Sequence, residues 1–301
     1  MRMKIVLGLI LLLSGSIYAQ TQRVNPLNRE MENYLKGKEA KVGVVVTDSV
    51  GNVVAWINGN TPFPMQSVFK FHIAMVMLAE IDQGRFTIDQ KIKIKRSDLK
   101  TKTWSPIRDQ YPKGTTLTIG EIIEYTVTLS DNNGCDLLLK LLGGPEVVEQ
   151  FFVSRGYPNF SVKINEAQMH KSWEAQFKNW ITPAESNRIL IDFYHNKGPI
   201  LTSTSRLFLL QTLFKTETGL NRLKGKLPEG AIVAHKTGSS GTNSKGVTAA
   251  ANDIGIVILP DQTPFFISVF VSQSTENEKV NDAIIADLCV IAWDYFTNAM
   301  E

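Results

Sequence analysis

Cysteine is almost missing from this sequence. Only Cys135 and Cys289 occur in 301 residues. They stand more than 150 positions apart, which is no disulfide framework. Each lies in an apolar stretch of helical spacing, so two buried free thiols are expected in preference to one bridge. Histidine is scarce as well. His72, His170, His195 and His235 show no HExxH, HxH or Cys/His ligand spacing, so no zinc site and no cofactor is implied. Long apolar runs are lacking after the first, Ile5 to Leu13, which is itself too short to span a bilayer comfortably. Arg2 and Lys4 precede that run, and small residues ending at Ala19 follow it. Residues 1–19 therefore read as a cleaved secretory signal, with no cysteine at the cut to carry a lipid. Its removal leaves 301 − 19 = 282 residues and takes the net charge from +3 to +1. A strong charge of either sign is thus absent, which speaks against a nucleic-acid partner. The locally basic run "KIKIKRSDLKTK", Lys91 to Lys102, reads as a solvated edge strand and turn.

What is present reads as strands at both ends and helices between. "KVGVVVTDSVGNVVAWI" predicts two strands joined by a turn at Gly51 and Asn52. An apolar run from "SVFK" to Gly84 predicts a helix buried on most sides. From about 117 to 216 the spacing is mainly helical, in "TIGEIIEYTVTL", "NNGCDLLLKLLGG", "GPEVVEQFFVSRG", "TPAESNRILIDFYHN" and "STSRLFLLQTLFKT". Residues 165–181 interrupt it with a long polar loop, a length that usually signals function. "AIVAHKTG", "GVTAAANDIGIVILP" and "PFFISVFVSQS" return to strand, and a final helix is expected from about Glu276 to Ala299. The fold class is α+β: a sheet drawn from both chain ends, flanked by helices, with a helical part inserted. Residues 20–301 form one domain, with an α/β part at about 20–62 and 217–301 and a helical part at about 63–216.

Three short elements could carry chemistry. Ser67 and Lys70 stand one helical turn apart, where an amine can take a serine proton or steady an alkoxide. By itself the spacing says little, because roughly one S-x-x-K is expected by chance in a chain this long. Ser97 and Lys100 form a second copy, to which no role is given. "SDN", Ser130 to Asn132, precedes an apolar helix and would alone read as a cap. "KTG", Lys236 to Gly238, closes a strand-like run and would alone read as a strand end. All three in this order are a chance event on the order of one in a thousand.

S-x-x-K, S-D-N and K-T-G in this order resemble the penicillin-recognising serine enzymes, class A β-lactamases among them. The resemblance covers nearly the whole mature chain. "EAQMH", Glu166 to His170, begins 36 residues after Ser130, where class A enzymes carry a catalytic glutamate. That loop, "NNGCDLLLK" and "TPFPMQSVFKF" look most like the extended-spectrum, cephalosporin-hydrolysing subgroup. One departure stands out. Met169 and His170 replace the usual Leu-Asn of the loop motif, so either His170 holds the hydrolytic water or the loop takes another path.

The resemblance implies a serine β-lactamase-like fold with an antiparallel sheet. It implies Ser67 as nucleophile, Lys70 or Glu166 through water as acylation base, and Ser130 as proton carrier to the leaving nitrogen. The backbone N–H groups of Ser67 and Ser239 would form the oxyanion hole. Glu166 would activate the deacylating water. Lys236, Thr237, Ser239 and Arg222 would receive the substrate carboxylate, Asn132 its side-chain amide, and Trp104 would wall the cleft. Asp136 and Thr216 would support the site. A periplasmic monomer acting on a small-molecule β-lactam is implied. The alternatives are a penicillin-binding D-alanyl-D-alanine peptidase and a β-lactam sensor without turnover. A peptidase lacks the loop glutamate, and a sensor is usually fused to a membrane-spanning part.

Overall fold

The computed structural model describes residues 25–198 and 200–298, so the signal segment read at 1–19 lies outside them. Helix α1 (Pro26–Leu35) starts at Asn25, whose side chain accepts from the Leu27 N–H. Strands β1 (Lys41–Thr47) and β2 (Val53–Ile57) follow as the expected hairpin. Asp48 Oδ1 closes its turn by accepting from the N–H groups of Val50, Gly51 and Asn52. β3 (Phe63–Pro64) then leads through a 3-10 turn, Gln66–Val68, into α2 (Phe69–Asp82). All residues of α2 from Phe69 to Ala79 are buried, as the dense apolar run requires. Just beyond its end, Gly84 takes φ +78, a backbone that glycine adopts cheaply.

The inserted part holds β4 (Lys91–Lys95), α3 (Pro106–Gln110), β5 (Gly114–Thr118), α4 (Ile119–Thr128), α5 (Asn132–Leu142) and α6 (Pro145–Val153). It continues with β6 (Phe160–Ser161), α7 (Glu166–Met169), β7 (Trp180–Ile181), α8 (Pro183–His195) and α9 (Ser203–Phe214). Capping explains most starts: Thr118, Asp131, Thr182 and Thr202 each accept a backbone N–H of the first turn. Residues 165–181 are less of a loop than the sequence suggests. They contain the one-turn α7, a 3-10 turn at Glu174–Phe177 and β7. Elements of two to five residues leave too few side chains for a period to show. α3 and β5 escape the sequence for the same reason.

The chain ends with β8 (Ile232–Ser239), β9 (Ala251–Ile258), β10 (Pro264–Ser272) and α10 (Glu278–Asn298). The main sheet runs β2-β1-β10-β9-β8 and is antiparallel throughout. β1 pairs with β10 from Lys41↔Ser272 to Thr47↔Phe266, which joins the two chain ends. Strand alternation then divides the core in two. Phe265, Ile267, Val269 and Val271 pack with Leu27 and Met31 of α1 and Ile284, Leu288 and Cys289 of α10. Phe266 and Phe270 face the other way, into the core built on α2 and the inserted helices. The architecture is α+β, as the order of strands and helices along the chain predicts. Cys135 and Cys289 are buried and free, one in each core.

His72 sits fully buried on α2, with ring centroids of Phe152 and Phe160 5.3 and 5.0 Å away. Burial pushes its pKa from 6.5 down to about 3, opposed weakly by the Val68 carbonyl. The unfolded chain therefore binds a proton below 6.5 that the folded chain refuses, so stability falls as pH falls from 6.5 towards 3. Between pH 6.5 and 4.5 this should cost about 2–3 kcal/mol. Urea titrations of the wild type and His72→Leu should show that loss in the first and a flatter profile in the second. Parallel profiles would remove His72 as the cause.

Candidate active site

The 3-10 turn lifts Ser67 to the start of α2, one step earlier than the first helical turn that the spacing suggests. Gln66 takes φ +46 just before it, an uncommon backbone for a side chain of that size. Asn252 on β9 holds this strained segment by donating to the carbonyls of Pro64 and Met65, at 2.8 and 3.2 Å. Gly238 lets β8 press against it. A Cβ there would lie 2.4 Å from the Met65 carbonyl oxygen. The N–H groups of Ser67 and Ser239 thus belong to two segments held in direct contact.

Lys70 is fully buried and its amine gathers the site. Nζ lies 2.8 Å from Ser67 Oγ, 2.9 Å from the Ser130 carbonyl, 3.3 Å from Ser130 Oγ and 2.8 Å from Glu166 Oε1, and it also meets Asn132 Oδ1. A buried lysine is tolerable only with such partners. Lys236 also reaches Ser130, with Nζ 3.1 Å from Oγ and 3.0 Å from its neighbour's carbonyl, that of Thr237. The Ser130 hydroxyl is thereby held between two amines. Burial, with Lys70 adding repulsion, brings the Lys236 pKa from 10.5 down to about 7. Ser130 itself adopts φ +57, which turns it out of the helix direction, while Asp131 caps α5 and accepts from Ser105 Oγ and the Ile107 N–H.

Glu166 opens α7 and is 4% exposed. Asn165 and Gln168 close a reciprocal capping box around that turn. Asp136 on α5 accepts from the N–H groups of Glu166 and Ala167, at 2.8 and 3.1 Å. Burial raises the Asp136 pKa to about 6, against the pull of those two bonds. Asn179 ties the base of the loop, accepting from Lys163 and Ile164 and donating to the Ile164 carbonyl. His170 lies half exposed, with Nε2 3.7 Å from Glu166 Oε2 and 3.5 Å from both Thr103 Oγ1 and Asn132 Nδ2. Thr103, Asn132, Glu166 and His170 line a cavity of about 190 Å³.

A second group surrounds the end of β8. Arg222 is buried, not a surface side chain. It donates to Asp282, to the carbonyls of Gly238 and Asn252, and to Ser239 Oγ at 2.8 Å. Four of its five N–H groups are engaged, which leaves one on Nη2. Thr237 Oγ1 meets Thr218 Oγ1 at 2.6 Å, and Thr216 Oγ1 donates to the His235 carbonyl. Trp104 is 60% exposed and anchors its indole N–H on the Leu129 carbonyl, while its own carbonyl accepts from Asn132 N. All the residues singled out by motif therefore fall into these two adjoining groups. The second S-x-x-K copy forms no such pair: Lys100 Nζ donates to the exposed Ser97 carbonyl, although Lys100 borders the same cavity. Thr103, Asn252, Thr218 and Asp282 were missed, since nothing local marks them. Asn252 alone left a trace, as a polar residue inside an apolar strand.

The chain is similar to known proteins over nearly its whole length. Residues 26–296 match the family described as "Beta-lactamase enzyme family". Beta-lactamase VEB-1 of Pseudomonas aeruginosa is 47% identical over 295 residues, covering 98% of this chain and 98% of that one. Extended-spectrum beta-lactamase PER-1 of the same organism is 38% identical over 287 residues, covering 95% and 92%. The crystal structure of the TLA-1 extended spectrum β-lactamase superposes with a TM-score of 0.87 at 48% identity, covering 90% of this chain and 98% of that one.

Proposed function

The chain belongs to the β-lactamase enzyme family as a class A extended-spectrum enzyme that hydrolyses β-lactams and confers resistance to them, and on that premise we propose how its residues do so. The observation that carries the mechanism is the Lys70 amine, within 3.3 Å of Ser67 Oγ, Ser130 Oγ and Glu166 Oε1. Ser67 attacks the lactam carbonyl, and its proton leaves along the Lys70–Glu166 pair. The N–H groups of Ser67 and Ser239 receive the developing oxyanion. Ser130, supported by both amines, hands a proton to the departing ring nitrogen. Glu166 then draws a proton from water, which attacks the ester and frees Ser67. His170 helps hold that water; its 3.7 Å approach to Glu166 Oε2 supports the role.

The substrate carboxylate is met by Lys236, by the hydroxyls of Thr237 and Ser239, and by Arg222, whose remaining N–H sits on the nitrogen next to Ser239 Oγ. Asn132 meets the side-chain amide of the substrate, and Trp104 walls the cleft. The proposal extends to the rest of the chain. Residues 1–19 direct export and are removed, residues 20–301 act as one domain, and the enzyme works in the periplasm as a monomer. Among the described residues no helix is long and apolar enough to cross a membrane.

Turnover separates this reading from a peptidase or a sensor. Mature protein mixed with a chromogenic cephalosporin should release many equivalents of product, with no adduct left by intact mass. Release of a single equivalent, with the adduct retained, would replace hydrolysis by mere acylation.

A further inference from the structure

Behind the site, on the sheet face turned towards α10, lies a buried charge that the reaction above leaves unused. Asp253 of β9 is fully buried. Its carboxylate oxygens lie 3.0 and 2.9 Å from His235 Nδ1, and Oδ2 also accepts the Leu223 N–H at 3.2 Å. His235 immediately precedes Lys236, and Leu223 immediately follows Arg222. One carboxylate therefore grips the chain next to each of the two cations. We propose that Asp253 is the positioning residue of the substrate-carboxylate site, fixing Lys236 through His235 and Arg222 through Leu223. The inference rests on the carboxylate reading given above.

The surroundings fit a device for placing two segments. Gly255 makes room for both grips: a Cβ there would lie 2.9 Å from Leu223 Cδ1 and 3.1 Å from His235 Cβ. Thr216 holds the His235 carbonyl, and His235 Nε2 has no partner, so the ring is steered through Nδ1 alone. A buried polar pair is weak evidence of stabilisation, since apolar packing serves that end as well. Recognition of a charge gives it a reason. The titratable groups that face Asp253 are His235 from β8, Lys224 from the segment before β8, Cys289 from α10, and Lys236. Those that face Lys236 are Lys70, Glu166, Asp253 and Arg222. Asp253 and Glu166 favour the charged lysine; burial, Lys70 and Arg222 oppose it.

The test compares a chromogenic cephalosporin with the methyl ester of its ring carboxylate. The wild type should prefer the acid. In Asp253→Asn that preference should fall roughly tenfold or more, through KM and not kcat. The alkaline limb of kcat/KM for the acid should move to lower pH, because Lys236 loses an anion that keeps it charged. The ester profile should stay in place. If the single variant fails to fold, His235→Leu with Asp253→Asn removes the pair as a unit and should give the same readout. An acid preference and an alkaline limb both unchanged, with only thermal stability lost, would overturn the inference. Lys236→Ala is the separate control: if it keeps the acid preference, the carboxylate reading itself fails. If it loses the preference while Asp253→Asn keeps it, only the role of Asp253 falls.

Discussion

Glu166→Ala will leave the enzyme acylated. Ser67 and Lys70 remain 2.8 Å apart without Glu166, so the nucleophile keeps its direct partner. The deacylating water loses its base, a change worth about 10²- to 10⁴-fold in rate. Acylation also slows, because Lys70 loses a carboxylate at 2.8 Å, but by less. Intact mass should show a lasting adduct with a cephalosporin, and peptide mapping should place it on Ser67. Adding Ser67→Ala should abolish the adduct. Glu166→Ala turning over at the wild-type rate would remove Glu166 from the mechanism, and an adduct on another residue would remove Ser67.

Gly238→Ala is expected to be nearly as damaging, for a steric reason. Gly238 does not need a left-handed backbone; it needs space. An added Cβ would meet the Met65 carbonyl oxygen at 2.4 Å, the Val68 nitrogen at 3.1 Å and Gln66 Cβ at 3.2 Å. Two of these are backbone atoms, and the Met65 carbonyl is already tied to Asn252. β8 must therefore back away from the segment that carries Ser67. The two oxyanion donors lie on opposite sides of that contact, so the distance between them opens. Losing one such donor costs about 10²–10³-fold in kcat. Steady-state kinetics beside a melting curve would check it: kcat should fall by that order while the protein stays folded. A kcat within threefold of wild type would show that the oxyanion is held elsewhere.

The sequence made the centre of this site legible because its chemistry is local. Ser67 and Lys70 declare themselves through a charge set in an apolar run, and Ser130, Glu166 and Lys236 through short motifs on predictable elements. The fold was legible for a similar reason, since α2, α4, α5, α8 and α9 each carry a full apolar face. The supports were not. Asn252 meets its partners 187 and 188 positions away, and Asp253 on β9 meets His235 on the neighbouring β8. No local pattern records such a distance. Arg222 was found, but its setting was not: a buried guanidinium bonded to Asp282 of α10 depends on a helix 60 residues on. The polar stretch 165–181 was seen as functional, yet its capping box and short strand stayed hidden because each is only a few residues long.

The pairing of β1 with β10 has a consequence for synthesis. Lys41 finds its partner in Ser272, so the first strand made must wait for the last. A ribosome releasing residues one by one therefore leaves one edge of β1 bare, its other edge meeting β2, long before β10 can cover it. The hydrolase does not exist in part. A chain cut before Pro264 leaves one edge of β1 and one edge of β9 bare. Such unpaired apolar edges invite aggregation. Resistance conferred by this protein thus begins only when almost the whole chain has been delivered.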